Sequence, residues 1–305
     1  MTRCNIRPSA LAMNRRPHLL PVLATLCGIG VLSLMDAFMK NAALDMGAYT
    51  AALLRAMMAF AIVAPIWLAT RGKWPARTVL KVHVTRGVVG SLMAVTFFFA
   101  LTKLPLAETI AISFIAPVVS LYLASIVLGE TIRREAILGA ILGFVGTLVI
   151  VGGKFDRGNL NEDTALGLAS IILSALLYAW NLVLQRQQAL VAKPVEVATF
   201  YMGVAMLAYV PAAPFLAHVP GAGQLANVAV AAGLTVVGAL TMAWAYARAE
   251  AQVLVPIEYT GFLWAALFGW LFWREAVTLS VIVGAALIVI GCLLATRRRP
   301  EQSSV

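Results

Sequence analysis

The chain of 305 residues is 62% hydrophobic and 12% charged, with a mean hydropathy of +0.91. These fractions exclude an ordinary soluble domain and point to an integral membrane protein. A net charge of +10 would suit a nucleic-acid binder, but the basic residues are distributed segment by segment, as a membrane dictates.

A bilayer core about 30 Å thick takes roughly 20 apolar residues per helix. The sequence divides into ten such runs, with no soluble domain between them. The first, Leu19–Met39, follows a basic N-terminal stretch, lacks a small-residue cleavage site and contains Asp36, with Lys40 just beyond. It reads as a retained helix rather than a signal peptide. Tyr49–Thr70 follows and carries Arg55; Val82–Leu101, Pro105–Leu128 and Ala136–Gly152 complete a first half. The second half comprises Ala165–Gln187, Pro194–Ala217, Gln224–Ala247, Gln252–Trp273 and Thr278–Thr296. Connections as short as Thr102–Leu104 and Arg274–Val277 require antiparallel neighbours.

With a cytoplasmic N-terminus, the inside segments hold Arg3, Arg7, Arg15 and Arg16, then Arg71, Lys73, Arg77, Lys81 and Arg86. Further along they hold Arg133, Arg134, Arg186, Lys193, Arg248 and Arg297 to Arg299. The outside segments hold Lys40, Lys103, Lys154, Arg157 and Arg274. This positive-inside bias places both termini in the cytoplasm and the Gly158–Thr164 loop outside. Cys4, Cys27 and Cys292 lie far apart, and His18, His83 and His218 fall at loop or helix-end positions. Neither a disulfide framework nor a metal site is expected. No GxxxxGK[ST] loop supports ATP coupling, and no cofactor is implied.

Placing Phe97–Ile150 over Met242–Ala295 without a gap sets Glu130 on Glu275, Gly139 on Gly284 and Gly146 on Gly291. The same register sets Ser113 on Glu258 and Phe114 on Tyr259. Each half holds five helices, an odd number, so the second copy enters from the opposite side and the repeat is inverted. Inverted repeats let two packings of similar halves open one central site alternately to either side, as in secondary transporters. Gly139, Gly143 and Gly146, with Gly284 and Gly291, recur at helical spacing and supply close-packing faces.

The stretch RGVVGSLMAVTFFFALTKLPLAETIAISFIAPVVSLYLASIVLGETI, Arg86–Ile132, then Gly139–Gly153, resembles the drug/metabolite transporter superfamily, specifically its EamA-type ten-helix members. PIEYTGFLWAALFGWLFWREAV, ending at Val277, looks like the matching half. The resemblance rests on the helix count, the duplication, Pro117 in the fourth helix, Glu130 at its end and the glycine-rich fifth helix. The second half departs from the first, with Phe262 opposite Pro117 and a proline placed earlier, at Pro256. The resemblance implies an all-α membrane protein whose two inverted five-helix repeats, 19–153 and 164–299, surround a central cavity. Helices one to four and six to nine would form the basket, with the fifth and tenth peripheral.

Charges within the apolar runs mark the candidate site, because an ionised group at the bilayer centre costs about 2.5–3.5 kcal/mol without a partner or a wet cavity. Asp36 and Arg55 lie at similar depth on antiparallel helices and can pair. They serve either to fix the two helices or to couple a substrate or ion. Glu258 lies about six residues, roughly 9 Å, inside the ninth run with no basic residue within a helical turn. Pro256, two residues earlier, lacks a backbone donor. Ser113 and Phe114 would face Glu258 and Tyr259 across the pseudo-two-fold axis, and Tyr178, Trp180 and Asn181 of the sixth run add rings and an amide. Glu108 reads as a helix-start acid, and Glu130 and Glu275 as structural helix-end acids beside arginines.

An acid with aromatic neighbours favours a cationic or zwitterionic solute. The expected function is therefore a secondary active or facilitative transporter moving a small organic metabolite across the inner membrane by alternating access. The metabolite would be cationic, zwitterionic or aromatic. Within the resembled superfamily, DAFMK with Arg55 and PIEY look similar to members linked to S-adenosylmethionine or riboflavin uptake. Export of aromatic amino acids or toxic organic cations is the alternative, and a non-transporting receptor or scaffold is the alternative of another class. The intramembrane polar residues are too scattered for an enzyme. The expected partners are the small-molecule substrate, the lipid bilayer and protons as candidate coupling ions, with no nucleic acid, in a monomer or homodimer.

Overall fold

The computed structural model describes the chain from Leu19 to Thr296 apart from residues 105–108, 110–111, 114, 128, 130–131, 133, 153–161 and 274–278. The expectations for Glu108, Phe114, Glu130, Glu275, residues 158–161 of the Gly158–Thr164 loop and both termini lie outside these residues, while 162–164 of that loop are helical. All regular structure among the described residues is helical. The longer helices, in chain order, are α1 (Leu19–Met46), α2 (Ala48–Ala69), α3 (Arg77–Lys103), α4 (Ile115–Val127) and α5 (Arg134–Gly152). There follow α6 (Glu162–Val191), α7 (Pro194–Tyr209), α8 (Ala222–Tyr246), α9 (Thr260–Trp273) and α10 (Leu279–Thr296). Among the described residues, 7 segments are long and apolar enough to cross a membrane: α1, α2, α3, Ala165–Val191, Pro194–Leu216, α8 and Val255–Phe272.

Several helices outrun the apolar runs. α1 continues past Met39 because Ala42, Ala43 and Met46 are buried in the same cluster as Ala51, Ala52 and Ala56 of α2. Small side chains there let two helices approach closely. The helix stops at Gly47, whose φ of +85° is left-handed and accessible to glycine at little cost. α3 begins at Arg77, well before Val82, so His83 and Arg86 lie within a helix.

The ninth run is not one continuous helix. A single α-turn, Ala251–Leu254, gives way to a 3₁₀ turn, Val255–Tyr259, before α9 starts at Thr260. Pro256 explains the break: it has no N–H for the helical ladder, and its ring clashes with the carbonyl one turn back. A similar interruption follows α7, where Val210–Ala212 around Pro211 is a 3₁₀ turn.

Packing pairs α1 with α8, α3 with α6, α2 with both α7 and α8, α3 with α7, α4 with α6, α1 with α9, and α5 with α10. Exchanging the first five helices with the last five maps this set onto itself. α1–α8 becomes α3–α6, α2–α8 becomes α3–α7, and α4–α6 becomes α1–α9. The α5–α10 contact shows the same reciprocity at atomic scale. A Cβ on Gly146 would come within 2.6 Å of the Gly284 carbonyl, and one on Gly291 within 2.7 Å of the Gly139 carbonyl.

Gly146→Val is expected to destabilise the protein by about 1–3 kcal/mol or more, since a backbone carbonyl cannot yield as a side chain does. Gly291→Val should cost a similar amount. Gly223→Val, whose Cβ meets nothing within 4 Å, serves as the control. Melting temperatures in detergent check this, and equal losses at all three sites would refute the close-packing argument.

Candidate substrate cavity

The 3₁₀ turn sets the site. Val255 to Tyr259 are all buried, and Glu258 is 3% exposed. Its Oε2 accepts a 2.6 Å hydrogen bond from the Tyr178 hydroxyl of α6, and its Oε1 one of 2.9 Å from the Tyr246 hydroxyl at the end of α8. Buried Arg186 in turn donates to the backbone carbonyl of Tyr246. Each carboxylate oxygen thus receives one donor and keeps further acceptor capacity.

Glu258 opens onto a cavity of about 240 Å³ among α1, α2, α3, α6, α7 and α8. Most of its wall is apolar, including Phe97, Phe98, Met202 and Met242, with a few converging polar groups, the usual make-up of a small-molecule site. Six of the residues expected from sequence line this one space: Asp36, Arg55, Ser113, Tyr178, Asn181 and Glu258. Phe114 lies outside the described residues.

Tyr259 and Trp180 are not brought into the lining. Tyr259 is fully buried on the far side, with its ring against Gly143 of α5. Successive residues of a helical turn point roughly 100–120° apart, so Glu258 and Tyr259 cannot face the same space. Trp180 is half-buried outside the cavity, next to fully buried Ala179. Trp264, one turn beyond Tyr259, packs instead on Gly30 of α1.

The expected Asp36–Arg55 pair is not formed, as no nitrogen–oxygen contact within 4.0 Å joins them. Arg55 donates to the Thr235 hydroxyl of α8 at 3.2 Å and lies 5.5 Å from the centre of the Phe98 ring. Thr235 and Phe98 come from runs far away in sequence, which the two-helix argument did not include. Asp36 and Arg55 nevertheless line the same cavity. The Nε of Arg55 and the Oδ1 of Asn181 are buried without a hydrogen-bond partner.

A second polar cluster borders the cavity at Arg86. Its guanidinium donates to Gln185 Oε1 at 2.6 Å and to Gln188 Oε1, and sits 4.4 Å from the centre of the Tyr201 ring. Gln188 bonds to His83 Nδ1, and His83 Nε2 lies 3.2 Å from Glu196 Oε1. The His83 ring stacks on Phe200 at 4.8 Å. His83 is therefore a buried residue inside α3, about two turns from its start, rather than one at the helix end. Among the described residues, no cluster of His, Cys, Asp or Glu is arranged to hold a metal ion.

The model of the EamA-like transporter family matches residues 19–152 and again 165–297. The chain belongs to the EamA-like transporter family. It is 26% identical over 282 residues to a pseudopaline exporter of Pseudomonas aeruginosa, covering 92% of this chain and 96% of that one. A riboflavin transporter of Brucella anthropi is 26% identical over 224 residues, 71% of this chain and 76% of its own. An aromatic amino acid exporter of Ancylobacter novellus is 25% identical over 212 residues, 68% and 74% of the two chains. One solved crystal structure shares the fold, with a TM-score of 0.76 over 90% of this chain and 98% of its own at 21% identity. This EamA-like protein is a small-molecule membrane transporter.

Sequence reasoning about this EamA-like transporter missed Tyr246, Arg86, Gln185 and Thr235. Tyr178, Asn181, Gln185 and Gln188 recur at helical spacings of three and four. That polar stripe on an apolar run was the available signal for Gln185, and through it for Arg86.

Proposed function

We propose that the chain is a secondary active or facilitative transporter that moves a small organic metabolite, cationic, zwitterionic or aromatic, across the inner membrane by alternating access. It does so with ten spans arranged as two inverted repeats, 19–153 and 164–299. The observation that carries this reading is the buried carboxylate of Glu258, held by two tyrosines from different helices and open to a cavity lined by α1, α2, α3, α6, α7 and α8. A charge is tolerated at that depth when it faces a cavity and has donors, and such groups mark substrate or ion paths.

The two-fold exchange of helix contacts supports the repeats, as do the reciprocal glycine contacts and the two successive family matches. The names of two relatives lend support to export, and one of them to an aromatic amino acid as a candidate solute. Riboflavin, aromatic amino acids, S-adenosylmethionine and quaternary cations form the test panel, assayed with purified protein in liposomes with and without a pH gradient. Saturable flux of at least one of them, absent from empty liposomes, is the expected result; flux of none counts against this reading.

The proposed orientation has both termini cytoplasmic. A cysteine placed at Val305, in a chain whose native cysteines are replaced, is expected to resist impermeant maleimide in intact cells and to react after permeabilisation. Labelling of intact cells would overturn the orientation.

A further inference from the structure

We infer that Arg86 forms a carboxylate-binding subsite at the opposite end of the cavity wall from Glu258, so that the preferred solute is amphoteric, with its cationic and anionic groups about 10 Å apart. This rests on the transport reading above and narrows its substrate class.

The first support is charge. An arginine guanidinium stays protonated in a protein, and Arg86 is 7% exposed. Its hydrogen-bond partners, Gln185 and Gln188, are neutral, and its ring neighbour, Tyr201, supplies only a π face. No carboxylate lies within 4.0 Å of it among the described residues; the nearest acid in its network, Glu196, pairs with His83 instead. Its Nε is buried without a hydrogen-bond partner. Arg86 is thus a lining cation lacking a counter-charge, and a planar fork of donors suits a carboxylate.

The second support is spacing. Tyr178, Asn181 and Gln185 lie on one face of α6, and all three line the cavity. Tyr178 holds Glu258 at one end of this stripe and Gln185 holds Arg86 at the other. Seven residues of helix separate the anchors by about 10 Å. Between them lies Asn181, which also lines the cavity and whose Oδ1 is buried without a hydrogen-bond partner. A cation at Glu258 and a carboxylate at Arg86 would satisfy both charged groups together.

A homologous series of ω-amino acids measures that spacing directly. Calorimetric titration of the purified full chain is expected to show 8-aminooctanoate binding about tenfold or more tighter than 4-aminobutyrate, since the shorter chain cannot reach both charges. It should also outbind octanedioate and 1,8-diaminooctane, which have the same length but like charges at both ends. Arg86→Gln should cost 8-aminooctanoate about tenfold or more in affinity while leaving 1,8-diaminooctane bound as tightly as before or tighter, since its second ammonium no longer meets a cation; retained diamine binding also reports an intact fold. If Arg86→Gln does not fold, Gln185→Met, which releases one hold on the guanidinium, should show the same selective loss in weaker form. Equal affinities across the series, or variants that lose the diamine and the amino acid alike, would overturn the inference. Flux of the metabolite panel in liposomes alongside no binding of any ω-amino acid would overturn the subsite and leave the transport reading intact. Absence of both would remove the transport reading as well.

Discussion

Glu258→Gln is expected to leave the protein folded and to abolish the response of transport to a pH gradient, with cationic solutes bound about tenfold or more weakly. Glutamine keeps the volume and keeps one acceptor for a tyrosine hydroxyl. Its amide nitrogen can donate to the oxygen of the other tyrosine, so both contacts survive with one reversed. What disappears is the negative charge and the exchangeable proton. Glu258→Ala should behave differently, because it leaves the hydroxyls of Tyr178 and Tyr246 without their acceptor in a buried site, at about 1–3 kcal/mol each. The check is flux in liposomes across a range of pH, together with melting of both variants in detergent. Unchanged affinity and unchanged pH response in Glu258→Gln would take the carboxylate out of the mechanism and leave Asp36 as the next acid on the cavity wall.

The helical runs were legible because membrane helices are long and apolar, and Glu258 stood out because a charge inside such a run needs a reason. The proposed repeat register pairs Ser113 with Glu258, and both residues line the cavity. The partners that set the site's chemistry were harder to see. Tyr246 ends α8, and only the break at Pro256 turns the chain so that its hydroxyl meets a carboxylate 12 positions later. Arg86 and Arg186 read as inside-segment charges under the positive-inside count. Both are buried in helices, because Gln185 and Gln188 accept from one and a backbone carbonyl from the other. Hydropathy treats each run separately, whereas these compensations come from side chains on other runs. For the same reason Arg55 turned to Thr235 rather than to Asp36, its neighbour in the sequence argument.

The two tyrosines should act on transport as a unit. Tyr178→Phe and Tyr246→Phe each remove one hydroxyl donor from a carboxylate, a charge-assisted bond contributing about 1.5–3 kcal/mol. With one hydroxyl gone, the remaining tyrosine alone holds the side chain in position. With both gone, Glu258 has lost the two donors that fix its orientation over the cavity. The double variant is therefore expected to lose more transport than the product of the single losses, with a coupling of about 0.5–3 kcal/mol. Removing the hydroxyls after the charge should matter much less. In a Glu258→Gln background each phenylalanine substitution is expected to change transport by about four- to tenfold, well below its effect beside the carboxylate, because neutral hydrogen bonds are worth roughly half of charge-assisted ones. Flux measurements on the eight combinations of wild-type and substituted residues at the three positions resolve the terms. Strictly multiplicative losses, or tyrosine effects of the same size with and without the carboxylate, would mean that the tyrosines act on the cavity independently of Glu258.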